Sequence, residues 1–516
     1  MVKYLTEYAE RFGGEIQLAG CANPELRGVE LDSRRIQAQG LFAALSGGTE
    51  SGVKFVRDAV SRGACAVLTT PDEARTLKAL SEFNLPLWIH SSAREVVGFT
   101  AAALHGEATK ALQVVGVTGT NGKTSVAHLA AQLFEAGGLS TAEFGTTGYR
   151  LSGGRSYPAT HTTPDASTLQ RMFAEHRELG GRAAILEASS HALDQGRLAG
   201  TEINLAIFTN LTRDHLDYHV DMERYAQAKQ KLFAMLSKGG TAIVNAGDPF
   251  AERMGQVASD AGANVLFYLV KDGNENKSAG AVADLSASDL CVDRAGTRFQ
   301  LEGMGIPKTE LRVALFGRHN VQNVLAATAA ALLSGVSVSD LRDALPELTP
   351  APGRLEEVAP GAREFNVMVD YAHTENALES VLNSAREVLN ARGRGRLLCV
   401  FGCGGDRDKG KREGMGSVVG RLADVAIVTS DNPRSEAPEQ IASEIRTGLC
   451  RAESMTSAKP ELHTQLDRRL AIELAIELAR SDDVVLIAGK GHETTQEING
   501  VKLPFDDRNV VMEILA

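Results

Sequence analysis

The sequence predicts an α/β protein of three domains: a small N-terminal α/β domain, a central P-loop-type ATPase domain with a mostly parallel sheet, and a C-terminal Rossmann-like doubly wound domain. Three observations predict it. Short apolar strands alternate with helical segments along the whole chain. One strand runs through a glycine-rich turn and Lys123-Thr124 into a helix. Beyond about residue 347, four apolar runs each end in a polar or glycine-rich loop. A length of 516 residues suits about three domains, and the divisions are expected at 1–107, 108–346 and 347–516.

In the first domain, Gly40 to Leu45 is strand-like, Phe55 to Gly63 helical, and Cys65–Thr69 and Leu87–His90 are short strands. Ser33, between Asp32 and Arg34-Arg35, suits either a diphosphate or a solvated turn. A helical stretch from Ala93 to Leu104 leads into the second domain.

The second domain opens on Leu112 to Val117, a buried strand. The turn after it holds Gly119, Thr120, Asn121 and Gly122, then Lys123, Thr124 and Ser125 at the start of a helix. Glycines let the backbone turn its amides toward phosphates, and the helix N-terminus adds positive potential. Lys123 suits the β- and γ-phosphates, and Thr124 a Mg²⁺ ion. The strict phosphate-loop pattern wants glycine at 117, where this chain has valine; its glycines fall at 116, 119 and 122. Next, Ala183 to Glu187 reads as a strand ending in a carboxylate at the ligand edge of a parallel sheet, where Glu187 could hold Mg²⁺. Leu205 to Phe208 runs into Thr209-Asn-Leu-Thr-Arg-Asp-His215. Met222 to Leu236 is helical, with Lys229 and Lys231 read from spacing as exposed. Gly317-Arg-His-Asn320 opens an alanine-rich helix, on which Asn320 is a candidate cap.

In the third domain, Val367–Asp370, Leu397–Phe401, Val425–Ile427 with the residues after it, and Val484–Ala488 are strands feeding loops on one edge. Helical segments such as 377–389 and 468–479 separate them.

Composition narrows the function. There are 54 basic and 65 acidic residues, a net charge of −11, which argues against a nucleic-acid binder. The six cysteines (Cys21, Cys65, Cys291, Cys399, Cys403, Cys450) form no CxxC pair and read as free thiols of a cytoplasmic protein. The N-terminus lacks the apolar core of a signal peptide, and no run approaches the ~20 apolar residues of a membrane span.

Taken together, Gly116 to Thr124, Glu187-Ala-Ser-Ser-His191, Thr209 to His215, Gly317 to Asn320, Gly353-Arg354 and Asp370-Tyr-Ala-His373 resemble, in order, the motifs of the Mur ligases. These are ATP-dependent amide ligases that build the peptidoglycan peptide. Asp431-Asn432-Pro433-Arg434, with Gly402 to Lys411 and Gly489-Lys-Gly-His-Glu493, resembles the signature of members that add meso-2,6-diaminopimelate. The resemblance implies ATP as co-substrate and Mg²⁺ as cofactor. It implies ATP contacts from residues 119–125 and from Asn320, Arg354, Asp370 and His373, with Asn320 at the adenine. It implies Mg²⁺ ligands in Thr124, Glu187 and His215, and catalytic roles for Lys123, His215 and Lys229. Lys229 would be carried as a carbamate. Ser33, Thr162, Thr163, Ser189, Gln195 and Arg197 would hold the UDP-muramoyl dipeptide, and Arg407, Asp431, Asn432, Pro433, Arg434, Gly489 and Glu493 the diaminopimelate. A monomer is expected.

Two departures stand out. Glu375 occupies a position where the family often has proline, and Gly48-Thr49-Glu50-Ser51-Gly52 lacks the His-Gln pair of some relatives. The competing readings are a lysine-adding or folylpolyglutamate-synthase-like ligase, a nucleotide switch, and a kinase that stops at phosphorylation. Asp-Asn-Pro-Arg argues against the first, the set Lys123, Glu187, His215 and Lys229 against the second, and a separate amino-acid pocket against the third.

Overall fold

The computed structural model describes residues 3–18, 22–47, 50–79, 85–271, 283–293, 296–359, 363–453 and 460–516. Cys21 and the Gly48-Thr49 part of the first-domain loop lie outside them.

Three separate sheets carry the chain. The first has β1 (Glu15–Gln17), β2 (Gly28–Glu30), β3 (Gly40–Ala43), β4 (Ala64–Thr69) and β5 (Leu87–Ile89), in the order β1-β5-β4-β3-β2. Only β1 runs antiparallel to its neighbour.

The central sheet contains β6 (Gln113–Thr118), β7 (Thr141–Gly145), β8 (Gly148–Arg150), β9 (Ser156–Tyr157), β10 (Ala183–Glu187), β11 (Ile203–Phe208), β12 (Leu236–Asn245), β13 (Asn264–Val270), β14 (Leu285–Asp293), β15 (Gly296–Gly303) and β16 (Ile306–Val313). Its order is β16-β15-β14-β13-β12-β11-β6-β10-β7-β8-β9. Strands β7 and β10 to β14 join β6 in one parallel body. Antiparallel ribbons extend both edges, β8–β9 on one side and β15–β16 on the other. The continuous apolar runs of β6, β10 and β11 follow from burial on both faces. Val115, Val117, Ile185, Leu205 and Ile207 fill one core, while Val114, Ala184, Leu186, Ala206 and Phe208 fill the other.

The third sheet holds β17 (Glu356–Val358), β18 (Asn366–Asp370), β19 (Leu397–Phe401), β20 (Val425–Val428), β21 (Glu461–Thr464) and β22 (Val484–Ala488), ordered β17-β18-β22-β19-β20-β21. All pairs are parallel except β17–β18. A hairpin of β23 (Thr495–Ile498) and β24 (Val501–Pro504) stands beside it. Cysteines 65, 291, 399, 403 and 450 are unpaired. Among the described residues no helix is long and apolar enough to cross a membrane.

The chain ends of β20 and β22 are held by a buried ion pair. Arg468 and Asp507 are 1% and 0% exposed, and the guanidinium donates to both carboxylate oxygens at 2.8 and 2.7 Å. The same guanidinium donates to the carbonyls of Ser430 and Ala488, at 3.3 and 3.1 Å. Breaking a buried pair leaves one charge uncompensated. Asp507→Ala is therefore expected to lower unfolding stability by about 3–5 kcal/mol in urea titration, and a loss below about 1 kcal/mol would show that water or a neighbour replaces the carboxylate.

Candidate active site

Strand β6 sits at the switch point of the central sheet, between β10 and β11. Three loops therefore meet beyond its carboxyl end. The first is the glycine turn. Gly119 has φ +155° and Gly122 φ +87°. A Cβ on Gly119 would fall on the Thr209 hydroxyl, and one on Gly122 would lie 2.7 Å from Asn323 Oδ1. The turn is fastened to the loop after β11: the Thr120 amide donates to Asn210 O and the Asn121 amide to Asn210 Oδ1, each at 2.9 Å. Those two amides are thus already committed. The first-turn amides of the helix Lys123–Ala136 remain as the anion donors. Lys123 Nζ folds back onto the carbonyls of Gly119 (2.9 Å) and Thr120 (2.8 Å). Desolvation lowers its pKa, opposed by Glu187 and Asp214.

The second loop brings Glu187, the last residue of β10, which is 1% exposed. Its carboxylate accepts from Thr124 Oγ1 at 3.0 Å and from the Thr146 amide at 2.8 Å. Burial raises its pKa, and Lys123 counters the rise. Oxygens 3.0 Å apart have the spacing of neighbours around a cation with bonds of about 2.1 Å, so the Thr124–Glu187 edge fits Mg²⁺. Among the described residues, no group of three or more His, Cys, Asp or Glu side chains gathers for a metal.

The third loop, after β11, carries Asp214 and His215. His215 has φ +54° and its Nε2 lies 3.5 Å from Asp214 Oδ2. Burial pushes the imidazole down to about 4, against the pull of Asp214. The helix Met222–Ala234 adds Lys229, and here the structure overturns the exposed-lysine expectation. Lys229 is 1% exposed. Its Nζ donates to Gly119 O at 2.7 Å and lies 4.5 Å from the Tyr225 ring centroid. Desolvation, then the nearby Lys123, hold its pKa well below that of an ordinary lysine. Lys231 faces outward and pairs with Asp194 at 2.7 Å.

The third sheet closes the site. Arg354 Nη2 donates to Thr124 Oγ1 at 3.0 Å, and its guanidinium lies over the Tyr371 ring at 4.6 Å. Asp370 does not line the pocket. It is buried and accepts the amides of Leu355 and Ala372, each at 2.7 Å, which fixes the turns bearing Arg354 and His373. Gly353 (φ +68°) packs against the Gly491–His492 backbone with no room for a Cβ. His373 lines the pocket, its Nδ1 2.8 Å from Tyr371 O. The pocket has a volume of ≈ 170 Å³. Thr120 to Thr124, Thr162, Glu187, Ser189, His215, Lys229, Arg354 and His373 all line it. So do Thr146, Ser190, Asp214, Tyr225 and Tyr371, to which the sequence reading gave no role. Thr146 follows a strand end and Tyr225 stands one turn before Lys229, and both positions were available as signals.

Asn320 is not the helix cap. Gly317 caps the helix Arg318–Leu333, and Asn320 in its first turn donates to Phe316 O at 2.9 Å and accepts from Asn323, the residue that backs Gly122. Ser125 lies inside the helix Lys123–Ala136 rather than on the pocket wall. Glu375 opens the helix Glu375–Arg392 at a position that favours both proline and an acidic side chain, and Thr374 caps that helix.

On the acceptor side, Thr163 Oγ1 donates to Glu187 O (2.6 Å) and lies 3.3 Å from Ser189 Oγ. Arg197 donates to Thr163 O (2.9 Å) and Gln195 Oε1 (2.7 Å). Ser33 is 5% exposed and its hydroxyl bonds Asp58. On the third sheet, the 431–434 turn lies after β20. Arg434 (φ +51°) donates to Gly405 O at 2.7 Å, and its Nε is 3.5 Å from Glu497. Asn432 Nδ2 donates to Glu493 at 2.9 Å, and the Asn432 and Pro433 carbonyls bind the Gly405 and Glu436 amides. The Cβ direction of Gly489 (φ +119°) points at Asp431, 3.6 Å away. Arg407 is exposed and makes no hydrogen bond or ion pair among the described residues.

Residues 117–331 match the Mur ligase middle domain, and residues 353–491 match the Mur ligase, glutamate ligase domain. The chain is 42% identical over 492 residues to a UDP-N-acetylmuramoyl-L-alanyl-D-glutamate--2,6-diaminopimelate ligase of Chromobacterium violaceum, covering 95% of this chain and 94% of that protein. A protein of the same name from Halalkalibacterium halodurans is 38% identical over 519 residues, covering 100% and 99%. A solved structure of such a ligase, 35% identical, aligns over 100% of this chain and 98% of its own with a TM-score of 0.68. The chain belongs to the Mur ligase family.

Proposed function

We propose that this chain is an ATP-dependent ligase that joins meso-2,6-diaminopimelate to the D-glutamate carboxylate of UDP-MurNAc-L-Ala-D-Glu, making the tripeptide for peptidoglycan synthesis. The observation that carries the reading is the convergence of Lys123, Glu187 and Lys229 with Arg354 and His373 in one pocket. Likeness to ligases of that name over nearly the full length supports the substrates. The enzyme so proposed is cytoplasmic and monomeric. It binds acceptor through residues 1–107, ATP through 108–346 and amino acid through 347–516.

The γ-phosphoryl group passes to the glutamate carboxylate, giving an acyl phosphate and ADP. The amine of diaminopimelate then attacks the acyl carbon, and phosphate leaves. A carboxylate is a poor electrophile at neutral pH, so the phosphoryl group supplies the leaving group. The protein's task is to bring anions together in line. Lys123 is free to exchange its two carbonyl partners for phosphate oxygens. Arg354 and His373 approach from the third sheet, and Thr162, Thr163, Ser189, Gln195 and Arg197 orient the acceptor. Mg²⁺, held by Thr124 and Glu187 with His215 beside them, would neutralise phosphate charge. Burial first, and then the nearby Lys123, shift Lys229 toward its neutral amine. A neutral amine adds to CO₂, forming an N–C bond and losing a proton, and becomes an anionic oxygen donor. Arg434 faces the second carboxylate of diaminopimelate, with Asn432, Asp431, Glu493, Gly489 and Arg407 around the amino acid.

Phosphate release with the acceptor and ATP is expected with meso-diaminopimelate and not with L-lysine. Equal turnover with lysine would remove the specificity, and no amino-acid-dependent turnover would remove the ligase reading. Arg434→Ala should raise KM for diaminopimelate by at least about 30-fold while KM for ATP changes little, the cost of unpairing a buried carboxylate contact.

Activity is expected to fall in CO₂-depleted buffer and to return with bicarbonate, and labelled CO₂ should give a carbamate carbon signal that Lys229→Ala lacks. An unchanged rate without CO₂ would count against the carbamate.

A further inference from the structure

The amino-acid side of the third sheet contains a buried cation that the proposed reaction leaves without a role. Lys490 is 0% exposed. Its Nζ donates to Asn432 Oδ1 at 3.2 Å and to Glu493 Oε2 at 3.0 Å, and stands 3.9 Å from Asp431 Oδ1. Asn432 Oδ1 accepts a second bond from the Glu497 amide at 3.0 Å. An amide oxygen has two acceptor sites, and both are filled. The Asn432 side chain is therefore held in one orientation, with its NH₂ on the opposite side. One of those hydrogens goes to Glu493, and the other is left for a ligand acceptor.

Charge points the same way. Asp431 and Glu493 bring two carboxylates to the pocket, and Lys490 offsets one of them. Asp431 Oδ1 is buried without a hydrogen bond, and its charge is answered by Lys490 at 3.9 Å together with the buried Arg468. Burying an ammonium costs several kcal/mol unless it is paired and bonded, and here the partners of the ammonium, Asn432, Glu493 and Asp431, all belong to the amino-acid pocket. With Lys490 in place the pocket suits a ligand that carries a carboxylate beside its ammonium. Without it the pocket gains negative charge and loses a fixed donor, which favours a ligand whose far end is only cationic.

We propose that Lys490 is a specificity-determining positioning residue: it fixes the Asn432 amide as a donor and sets the pocket charge so that a dicarboxylic diamino acid is preferred over a monocarboxylic one. The inference rests on reading residues 431–434 and 489–493 as the amino-acid pocket. The test is steady-state kinetics of wild type, Lys490→Met and Lys490→Arg with meso-diaminopimelate and L-lysine. Wild-type turnover with diaminopimelate checks the underlying reading first, and its absence would remove that reading rather than the role of the lysine within it. Lys490→Met is expected to raise KM for diaminopimelate by about 10- to 100-fold, with KM for ATP and for the UDP-dipeptide within about twofold, the cost of a lost bond to a charged group. The preference for diaminopimelate over lysine should fall, and Lys490→Arg should restore part of it. If Lys490→Met does not fold, Lys490→Gln, which keeps a donor for Asn432 but no charge, is assayed the same way. Failure of both to fold, an equal loss for all three substrates, or an unchanged preference would each assign Lys490 to structure alone and overturn the proposal.

Discussion

Two lysine amines donate to the same carbonyl oxygen, that of Gly119. Desolvation lowers the proton affinity of both amines, and in Lys229 the like charge of Lys123 lowers it further. Much of the site answers to this constraint. Glu187 is tolerated as a buried carboxylate because Lys123 faces it, and the Tyr225 ring gives Lys229 a polarisable neighbour. In the pocket Lys123 and Arg354 stand against Glu187 and Asp214, with Lys229 shifted toward its neutral form beside them.

The sheet architecture supplies that place. Residues from the ends of β6, β7, β10 and β11 meet because those strands run parallel and side by side. The third sheet repeats the arrangement with the loops after β18, β19, β20 and β22. Arg468 and Asp507 then fix the points where two of those loops begin.

The sequence carried the parallel strands plainly, because a strand buried on both faces leaves an uninterrupted apolar run. The helix 93–104 and the strands β10, β19 and β22 fall where periodicity puts them. The edge ribbons β8–β9 and β14–β16 were not read: their half-exposed strands mix polar and apolar residues and carry little signal. Lys229 shows the main limit. A lysine on an amphipathic helix reads as exposed, and only the packing of that helix against the Gly119 turn buries it. Asp370 shows another, since spacing cannot tell a ligand contact from a carboxylate that ties down two turns. A cap is what the residues alone suggest for Asn320, while the resemblance puts it at the adenine; the turn ends three residues earlier, at Gly317, so Asn320 falls in the first turn of the helix.

The junction at Gly353 has a consequence for how such an enzyme can diversify. Arg354 reaches Thr124 from a turn held by the Asp370 carboxylate on two amides, by Glu356 on the Gly353 amide, and by the main chain of Gly491 and His492 against Gly353. The side chains that would read the amino acid take no part in that junction. New preferences can therefore arise by exchange of residues 431–434 and their neighbours, while the geometry of phosphoryl transfer is inherited unchanged.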